Sequence, residues 1–118
     1  MGWRCFLLAK IHGARITQAN VEYMGSIAIC PDLLQASGIA PNERVDVYNL
    51  DNGMRLTTYA ILGEQGQVGL NGAAALQGKQ GQRVIIAAYT WLEPREVQEH
   101  RPRVVIVGQE NTVQQSEP

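Results

Sequence analysis

The sequence predicts a mainly β fold, a small closed or nearly closed barrel with two short helices, as one domain over residues 1–118. The chain contains about six strand-like runs, at residues 4–17, 21–29, 43–50, 51–62, 83–92 and 101–108. It is too short for a large sandwich, and closing a sheet removes the edges that so many strands would expose. No internal repeat or linker divides the chain.

The first part of the chain provides two strand runs and a helix. The first run bends at Gly13, and the second is interrupted by the pair Gly25-Ser26. A short helix then begins at Pro31, because proline is favoured in the first helical turn, and it ends at Gly38, a typical C-terminal stop.

The middle of the chain predicts a hairpin. Val45 and Val47 alternate with Asp46 and Tyr48, which is the pattern of a half-buried strand. Asn52-Gly53 follows and is the strongest two-residue hairpin signal in the chain, so the third and fourth runs are expected to pair.

The last part of the chain predicts two further strands around a short helical segment. Glu93-Pro94 begins that segment, which ends near His100, between the runs at 83–92 and 101–108. The polar residues 109–118 are predicted to form a flexible tail.

Composition excludes several function classes. The formal net charge is −1 and the basic residues are scattered, so a nucleic-acid partner is not indicated. No apolar run approaches the ~20 residues of a membrane helix. The N-terminal segment contains an arginine and a lysine and predicts a first strand, not a signal peptide. A cytoplasmic protein without membrane attachment is therefore expected.

Cysteine and histidine positions indicate no metal site. Cys5 and Cys30 are far apart in sequence, and neither they nor His12 and His100 follow a metal-ligand spacing. Two buried free thiols in a reducing compartment are expected, and a disulfide is the alternative.

The segment YMGSIA, Tyr23 to Ala28, places Gly-Ser inside a strand-like run. Glycine in such a run typically marks a bulge, a bend or a close approach of the backbone to another group. From these residues alone, a plain turn residue is the favoured interpretation of Ser26, and a further role stays open as the alternative.

Three longer segments change that interpretation. KIHGARITQANVEYMGSIAI, NGMRLTTYAI and NGAAALQGKQGQRVIIAAY occur in this order, and together they resemble the aspartate decarboxylase family over about residues 6–107. The resemblance implies a six-stranded double-psi β-barrel that assembles as a homotetramer. It also implies conversion of L-aspartate to β-alanine and carbon dioxide, for pantothenate biosynthesis.

The resemblance gives the Gly-Ser pair a chemical role. Members of this family cut themselves between the glycine and the serine of a Tyr-x-Gly-Ser motif, which here is Gly25-Ser26. The serine hydroxyl attacks the glycine carbonyl, and elimination and hydrolysis then leave a covalent pyruvoyl group at Ser26 and release ammonia. This cofactor takes up the negative charge that decarboxylation leaves, and no metal is implied.

Two strand residues follow the hairpin and acquire roles by the same resemblance. On pattern alone Thr58 is an ordinary strand residue; the resemblance makes its hydroxyl the group that stabilises the oxyanion during self-cleavage. The adjacent Tyr59 is implied to be the acid that returns a proton to the α-carbon of the substrate. Tyr23 begins the cleavage motif and is expected to pack against the processing loop.

Substrate binding is assigned to several residues. From pattern, Arg55 is a solvated strand charge and Lys10 an edge lysine. The resemblance makes Arg55 the bidentate partner of a substrate carboxylate and adds Lys10 and His12 to the site. Residues 71–74, otherwise a turn, are implied to line the pyruvoyl pocket, together with an aromatic residue at a position where family members commonly carry tryptophan. These lining residues are Asn71, Gly72, Ala73, Ala74 and Tyr48.

The chain departs from the family pattern at three positions. Cys30 replaces a common aspartate, Gln82 replaces the aspartate of a Gly-Asp pair, and Gly13 stands where a basic residue is common. A barrel that no longer cleaves itself and serves as a binding or structural module is the alternative function class. The residues proposed for cleavage and catalysis are nevertheless all present.

Overall fold

The structure, a computed structural model, describes residues 2–117 and is mainly β. Within that range it has nine strands: β1 (Arg4–Arg15), β2 (Gln18–Asn20), β3 (Ser26–Ile29), β4 (Arg44–Asn49), β5 (Arg55–Leu62), β6 (Val68–Asn71), β7 (Arg83–Leu92), β8 (Arg103–Val107) and β9 (Val113–Glu117). The helices are α1 (Pro31–Ser37), α2 (Pro94–Val97) and two short 3-10 helices, Gly72–Gln77 and Gln109–Asn111.

All nine strands belong to one sheet with the order β2-β6-β3-β5-β4-β7-β1-β8-β9. Three neighbouring pairs are parallel, β1 with β8, β2 with β6 and β3 with β5, and the others are antiparallel. The predicted fold class is confirmed, although hydrogen bonds do not close the sheet, so β2 and β9 are its edges.

One hydrophobic core lies on the inner face of this sheet. Ile11, Ile86 and Val47 are register partners across β1, β7 and β4, and all three are buried. Burying such a side chain stabilises the fold by roughly 1.5–3 kcal/mol relative to leaving it exposed. Because successive side chains of a strand point to opposite faces, the residues between these core positions lie on the other face, which we call the outer face.

Local turn chemistry explains where several elements begin and end. Gly38 adopts the left-handed conformation (φ 77°) at the end of α1, as predicted. Gly53 does the same (φ 78°) in the β4–β5 hairpin. Gly13 (φ 89°) forms a bulge within β1 and does not end the strand.

The predicted extended run 21–29, interrupted at Gly25-Ser26, is wrong in its first half, because residues 21–25 form a turn before β3. The Asn20 side chain accepts a hydrogen bond from the Glu22 N–H (3.0 Å), and the Asn20 carbonyl accepts one from the Tyr23 N–H (3.4 Å). An asparagine that bonds the backbone two residues later nucleates a turn. The strand therefore begins only at Ser26.

The predicted flexible tail also differs from the structure. Residues 109–117 contain a 3-10 helix and β9, which pairs with the exposed edge of β8. Asn111 is buried and anchors the segment, because its side chain hydrogen-bonds the Arg15 N–H (2.8 Å), the Arg15 carbonyl (2.9 Å) and the Gly66 carbonyl (3.0 Å). Pro118 lies outside the described residues.

The two cysteines are free, as expected, but only Cys30 is buried. Cys5 is exposed because it lies on the outer face of β1, opposite Trp91 of β7. No helix within residues 2–117 is long and apolar enough to span a membrane.

Candidate functional site

The Gly25-Ser26 peptide lies at the start of β3, with Gly25 exposed and Ser26 buried. Ser26 is buried, and it is the register partner of Asn71 on the antiparallel strand β6. Its Oγ accepts a hydrogen bond from Asn71 Nδ2 (3.1 Å) and donates one to the Met24 carbonyl (3.3 Å). Two groups thus hold the predicted nucleophile next to the predicted scissile bond.

Gly72 packs its backbone directly against the backbone of Gly25. It adopts φ 64°, a conformation that favours glycine. A Cβ at this position would lie 2.6 Å from Gly25 Cα, 2.7 Å from Gly25 N and 3.1 Å from the Tyr23 carbonyl oxygen. No other residue type fits without moving the loop that carries the predicted cleavage site.

Asn71 contributes an unusual buried atom to the group that it forms with Gly25, Ser26 and Gly72, which we call the Ser26 cluster. Its Oδ1 is buried and has no hydrogen-bond partner within residues 2–117, whereas its Nδ2 reaches Ser26. A buried acceptor without a partner costs about 1–3 kcal/mol, so such atoms are rare and concentrate where function requires them. The 3-10 helix Gly72–Gln77 follows at once and has Ala73 exposed and Ala74 buried.

Thr58 and Tyr59 approach the same site from β5. This strand runs parallel to β3, with Ala60 as the register partner of Ile27. Extending the register by one and two residues sets Tyr59 beside Ser26 and Thr58 beside Gly25. Tyr59 is exposed on the outer face and Thr58 is half-buried. Continuing the pairing in this way would bring the backbones of both predicted residues next to the Gly25-Ser26 peptide.

Arg55 is not part of that cluster. It lies four residues before Tyr59 on β5, or ~13 Å along an extended strand. Its guanidinium carbon lies 4.0 Å from the centre of the Tyr48 ring, on the neighbouring strand β4. Within residues 2–117 it makes no ion pair. The predicted carboxylate-binding cation thus stacks on the predicted aromatic pocket residue and keeps its hydrogen-bond donors free.

Three polar residues around Tyr48 were not predicted as part of the site. Asp46 Oδ2 accepts a hydrogen bond from the Tyr48 hydroxyl (3.2 Å), and Asp46 Oδ1 accepts one from Thr57 Oγ1 (2.8 Å). The Tyr48 and Tyr89 hydroxyl oxygens are 2.8 Å apart. Burial, and then the hydrogen bond with Tyr89, raise the pKa of Tyr48 well above its ordinary value. We call Asp46, Tyr48, Thr57 and Tyr89 the hydroxyl network.

The alternation of strand β4 was a usable signal for part of this network. It placed Asp46 and Tyr48 on one face, and the register adds Thr57 as the partner of Asp46. Nothing in the sequence indicated Tyr89, because its contact with Tyr48 depends on how β7 pairs with β4.

Lys10 and His12 lie on the outer face of β1, three strands from β5. Within residues 2–117 no hydrogen bond or ion pair joins either side chain to Ser26 or Asn71. Burial and the neighbouring charges of Lys10 and Arg83 lower the pKa of His12 below its ordinary value of 6.5. Its Nδ1 is buried and has no partner among residues 2–117.

The comparison with known proteins assigns the family. The sequence model of the Aspartate decarboxylase family matches residues 3–114, which is nearly the whole chain. The chain belongs to this family.

Relatives in the aspartate decarboxylase family align over almost their full length. An aspartate 1-decarboxylase of Bdellovibrio bacteriovorus is 50% identical over 107 residues, which cover 91% of this chain and 86% of the relative. One from Acaryochloris marina is 50% identical over 117 residues, covering 98% and 89%. One from Exiguobacterium sibiricum is 49% identical over 114 residues, covering 95% and 90%.

The surroundings of Ser26 fit the pyruvoyl group that the family resemblance implies. The Asn71 amide N–H that reaches Ser26 Oγ is a suitable donor to a carbonyl oxygen in the same place. The unpartnered Asn71 Oδ1 offers an acceptor in the same cluster. No group of three or more His, Cys, Asp or Glu side chains in the described part of the chain could hold a metal ion.

The departures from the family pattern have local structural roles. Cys30 precedes α1 as its N-cap but makes no side-chain capping bond; its thiol lies 3.8 Å from the Asn111 carbonyl. Gln82 Oε1 accepts hydrogen bonds from Asn49 Nδ2 (3.0 Å) and the Lys79 N–H (2.9 Å). Cys30 and Gln82 therefore support the C-terminal segment and a turn.

Proposed function

We propose that this chain is a self-processing, pyruvoyl-dependent aspartate 1-decarboxylase that converts L-aspartate to β-alanine and carbon dioxide. We further propose that it acts in the cytoplasm as a homotetramer and supplies β-alanine for pantothenate biosynthesis. Family membership supports the activity. The observation that carries self-processing is the buried Ser26 hydroxyl, held beside a Gly25 backbone against which only glycine fits at position 72.

Self-processing requires the Ser26 hydroxyl and the Gly25 carbonyl. Ser26 Oγ bonds to the Gly25 carbonyl carbon as the peptide C–N bond breaks, which gives an ester and a free amine. Loss of the Ser26 α-proton and cleavage of the Cβ–O bond then release a carboxylate at Gly25. The dehydroalanine left at position 26 is finally hydrolysed: water supplies the ketone oxygen of the pyruvoyl group, and the nitrogen leaves as ammonia. Thr58, beside Gly25 by the extended register, is proposed to stabilise the oxyanion of the first step.

The products of processing are residues 1–25 and residues 26–118. A pyruvoyl group at position 26 supplies an electron sink for the charge left by carbon dioxide. Asn71 Nδ2 is proposed to hold its oxygen, with the residues that follow, Gly72, Ala73 and Ala74, lining the pocket. Tyr59, on the same face as Ser26, is proposed to protonate the substrate α-carbon.

Arg55 is proposed to hold the carboxylate that β-alanine retains, with Lys10 and His12 as further substrate-binding groups. The Arg55 backbone lies ~13 Å along β5 from the Ser26 position, and its guanidinium stacks on Tyr48 of β4, on the side of β5 away from β3, which carries Ser26. We therefore propose that the Arg55 of one chain acts on substrate at the Ser26 position of another copy. A homotetramer provides such a neighbour.

Intact-mass measurement after incubation tests self-processing. The wild-type protein is expected to yield two fragments, the larger one lighter than residues 26–118 by the mass of one ammonia, because serine is converted to pyruvoyl. Ser26→Ala is expected to stay uncut and folded. A single stable wild-type chain would instead favour the alternative function as a binding or structural module. Cleavage of Ser26→Ala would exclude the proposed nucleophile.

Decarboxylation of aspartate by the cleaved protein tests the activity, and subunit mixing tests the arrangement. Ser26→Ala and Arg55→Ala subunits are each expected to be inactive or strongly impaired alone. Co-expressed in one tetramer, they are expected to restore part of the activity, because one subunit supplies the pyruvoyl group and the other the arginine. No restoration would mean that Arg55 acts within its own chain.

A further inference from the structure

We propose that Tyr89 is a positioning residue for substrate binding: its hydroxyl holds the Tyr48 ring as a fixed platform on which the Arg55 guanidinium rests. This inference depends on the proposed role of Arg55 as the carboxylate-binding cation. The three residues lie on three different strands, β7, β4 and β5, which are adjacent in the sheet. Their arrangement is therefore set by the sheet and not by a mobile loop.

The direction of the hydrogen bonds follows from the chemistry of the groups. An ionised carboxylate only accepts, so the Tyr48 hydroxyl donates its proton to Asp46 Oδ2 (3.2 Å). The Tyr48 oxygen is then the acceptor in its 2.8 Å contact with Tyr89, and the Tyr89 hydroxyl is the donor. The hydroxyl of Tyr48 is fixed from two sides, and the ring orientation is fixed with it.

Asp46 is close to Arg55 in the sheet, yet its carboxylate does not take the place of a substrate carboxylate on the guanidinium. Both carboxylate oxygens already accept hydroxyl hydrogen bonds, one from Tyr48 and one from Thr57. No ion pair joins Asp46 to Arg55 in the described part of the chain. The hydroxyl network thus keeps a carboxylate occupied next to an arginine whose own donors stay available for a substrate carboxylate.

The contact between Arg55 and Tyr48 orients the arginine without using its donors. The guanidinium carbon lies 4.0 Å from the ring centre, a distance typical of stacking between arginine and an aromatic ring. An unrestrained arginine side chain loses rotational freedom when it binds a ligand carboxylate through two parallel hydrogen bonds. Stacking on a fixed ring removes part of that freedom beforehand, so the bound geometry is reached at lower cost.

The experiment removes one hydroxyl and measures substrate binding separately from turnover. In Tyr89→Phe we expect complete self-cleavage, an unchanged kcat and a KM for aspartate raised about 2- to 12-fold, the equivalent of one hydrogen bond. The kcat is unaffected because the retained carboxylate is held equally in the ground and transition states. The control Thr90→Val removes a hydroxyl from the next residue of β7 and is expected to change neither constant. An unchanged KM in Tyr89→Phe would overturn the proposal.

A second pair of variants separates positioning from direct contact with substrate. In a Tyr48→Trp background the platform has no hydroxyl to anchor, so adding Tyr89→Phe is expected to have no further effect on KM. If Tyr89 binds substrate itself, the full loss will appear in both backgrounds and the positioning role will be wrong.

A measurement without substrate keeps this inference distinct from the proposed function. Nitrogen-15 relaxation of the Arg55 Nε–H group is expected to show an ordered side chain in the wild type and a more mobile one in Tyr89→Phe. Equal order in both proteins would overturn the proposal even if aspartate is decarboxylated. A wild-type protein inactive on aspartate, but with the expected change in Arg55 mobility, would instead contradict the proposed function.

Discussion

The surroundings of Ser26 and those of Arg55 differ in what holds their geometry. Around Ser26 the backbone does so: Gly72 packs against Gly25, and the buried hydroxyl bonds the Met24 carbonyl and an amide group that β6 places opposite it. Around Arg55 exposed and half-buried side chains do so, through a ring stack and hydroxyl groups.

This difference matches the two reactions we propose. Self-cleavage happens once per chain, and both of its reactants belong to the chain, so the backbone must hold them in a near-attack arrangement. Turnover happens many times and requires an open surface that a substrate can reach and leave. A variant that changes the rate of self-cleavage but not turnover, or the reverse, therefore tests whether the two regions have these separate roles.

Among side chains other than the Ser26 nucleophile, Thr58 is expected to have the largest effect on the rate of self-cleavage. Thr58→Ala removes the proposed oxyanion donor, which elsewhere costs a factor of about 10²–10³ in rate. The adjacent Thr57 is the matched control, because its hydroxyl binds Asp46 on the outer face. The rate of fragment formation by mass spectrometry is expected to fall in Thr58→Ala and not in Thr57→Ala. Equal rates in all three proteins would remove Thr58 from the mechanism.

Arg55→Ala is expected to impair substrate binding and to leave self-cleavage intact, the reverse of Thr58→Ala. Cleavage should be complete, whereas the KM for aspartate should rise about 10- to 150-fold, the equivalent of one charge-assisted hydrogen bond of ~1.5–3 kcal/mol. Arg55→Lys should recover only part of this loss, because an ammonium group cannot form the two parallel bonds. Carbon dioxide release by the fully cleaved variants measures the effect, and wild-type saturation in Arg55→Ala would mean that another residue holds the carboxylate.

Gly72→Ala tests whether the backbone sets the cleavage geometry. The added Cβ forces Gly25 to move, and overpacking of this kind typically costs ~1–3 kcal/mol. Self-cleavage is expected to slow about 5- to 150-fold. Gly81→Ala is the matched control, because Gly81 also has a positive φ (93°) but no atom within 4 Å of the added Cβ. If both variants slow cleavage equally, general backbone strain and not the contact with Gly25 is responsible.

The smallest effect concerns the pH dependence of stability through His12. Its pKa in the folded protein is below the ordinary 6.5, so the unfolded chain binds the proton more readily. The stability that neutral His12 contributes is therefore present above pH 6.5 and is lost as the pH falls toward the folded-state pKa. Denaturant unfolding at pH 7.5 and 5.5 should show a smaller decrease for His12→Gln than for the wild type. If His12→Gln retains the wild-type decrease, His12 is not the group responsible.

Local features of the fold could be predicted because neighbouring residues determine them. Pro31 and Gly38 bound α1, and Asn52-Gly53 forms the hairpin turn, since each conformation suits few residue types. The strand β9 was missed because its polar composition resembles that of a tail. It needs no buried side chain, only the free edge of β8.

The candidate site could be predicted only in part, because strand pairing assembles it. Ser26 and Asn71 are 45 residues apart, and nothing local to either indicates that β3 and β6 are antiparallel neighbours. The family resemblance named both residues without placing them. It likewise named Arg55, but its separation from Ser26 follows from the parallel pairing of β3 with β5.

The position of β1 inside the sheet has a consequence for the molecularity of folding. This strand pairs with both β7 and β8, and it lies in the N-terminal fragment of the proposed cleavage. Before the cut, the covalent chain keeps β1 at a high effective concentration beside its partners, and folding is a first-order process. After the cut, unfolding releases two molecules, so recovery becomes second order and the melting temperature depends on protein concentration. The proposed maturation would thus replace a single chain with a two-fragment complex whose recovery after heating or dilution depends on the concentration of both fragments.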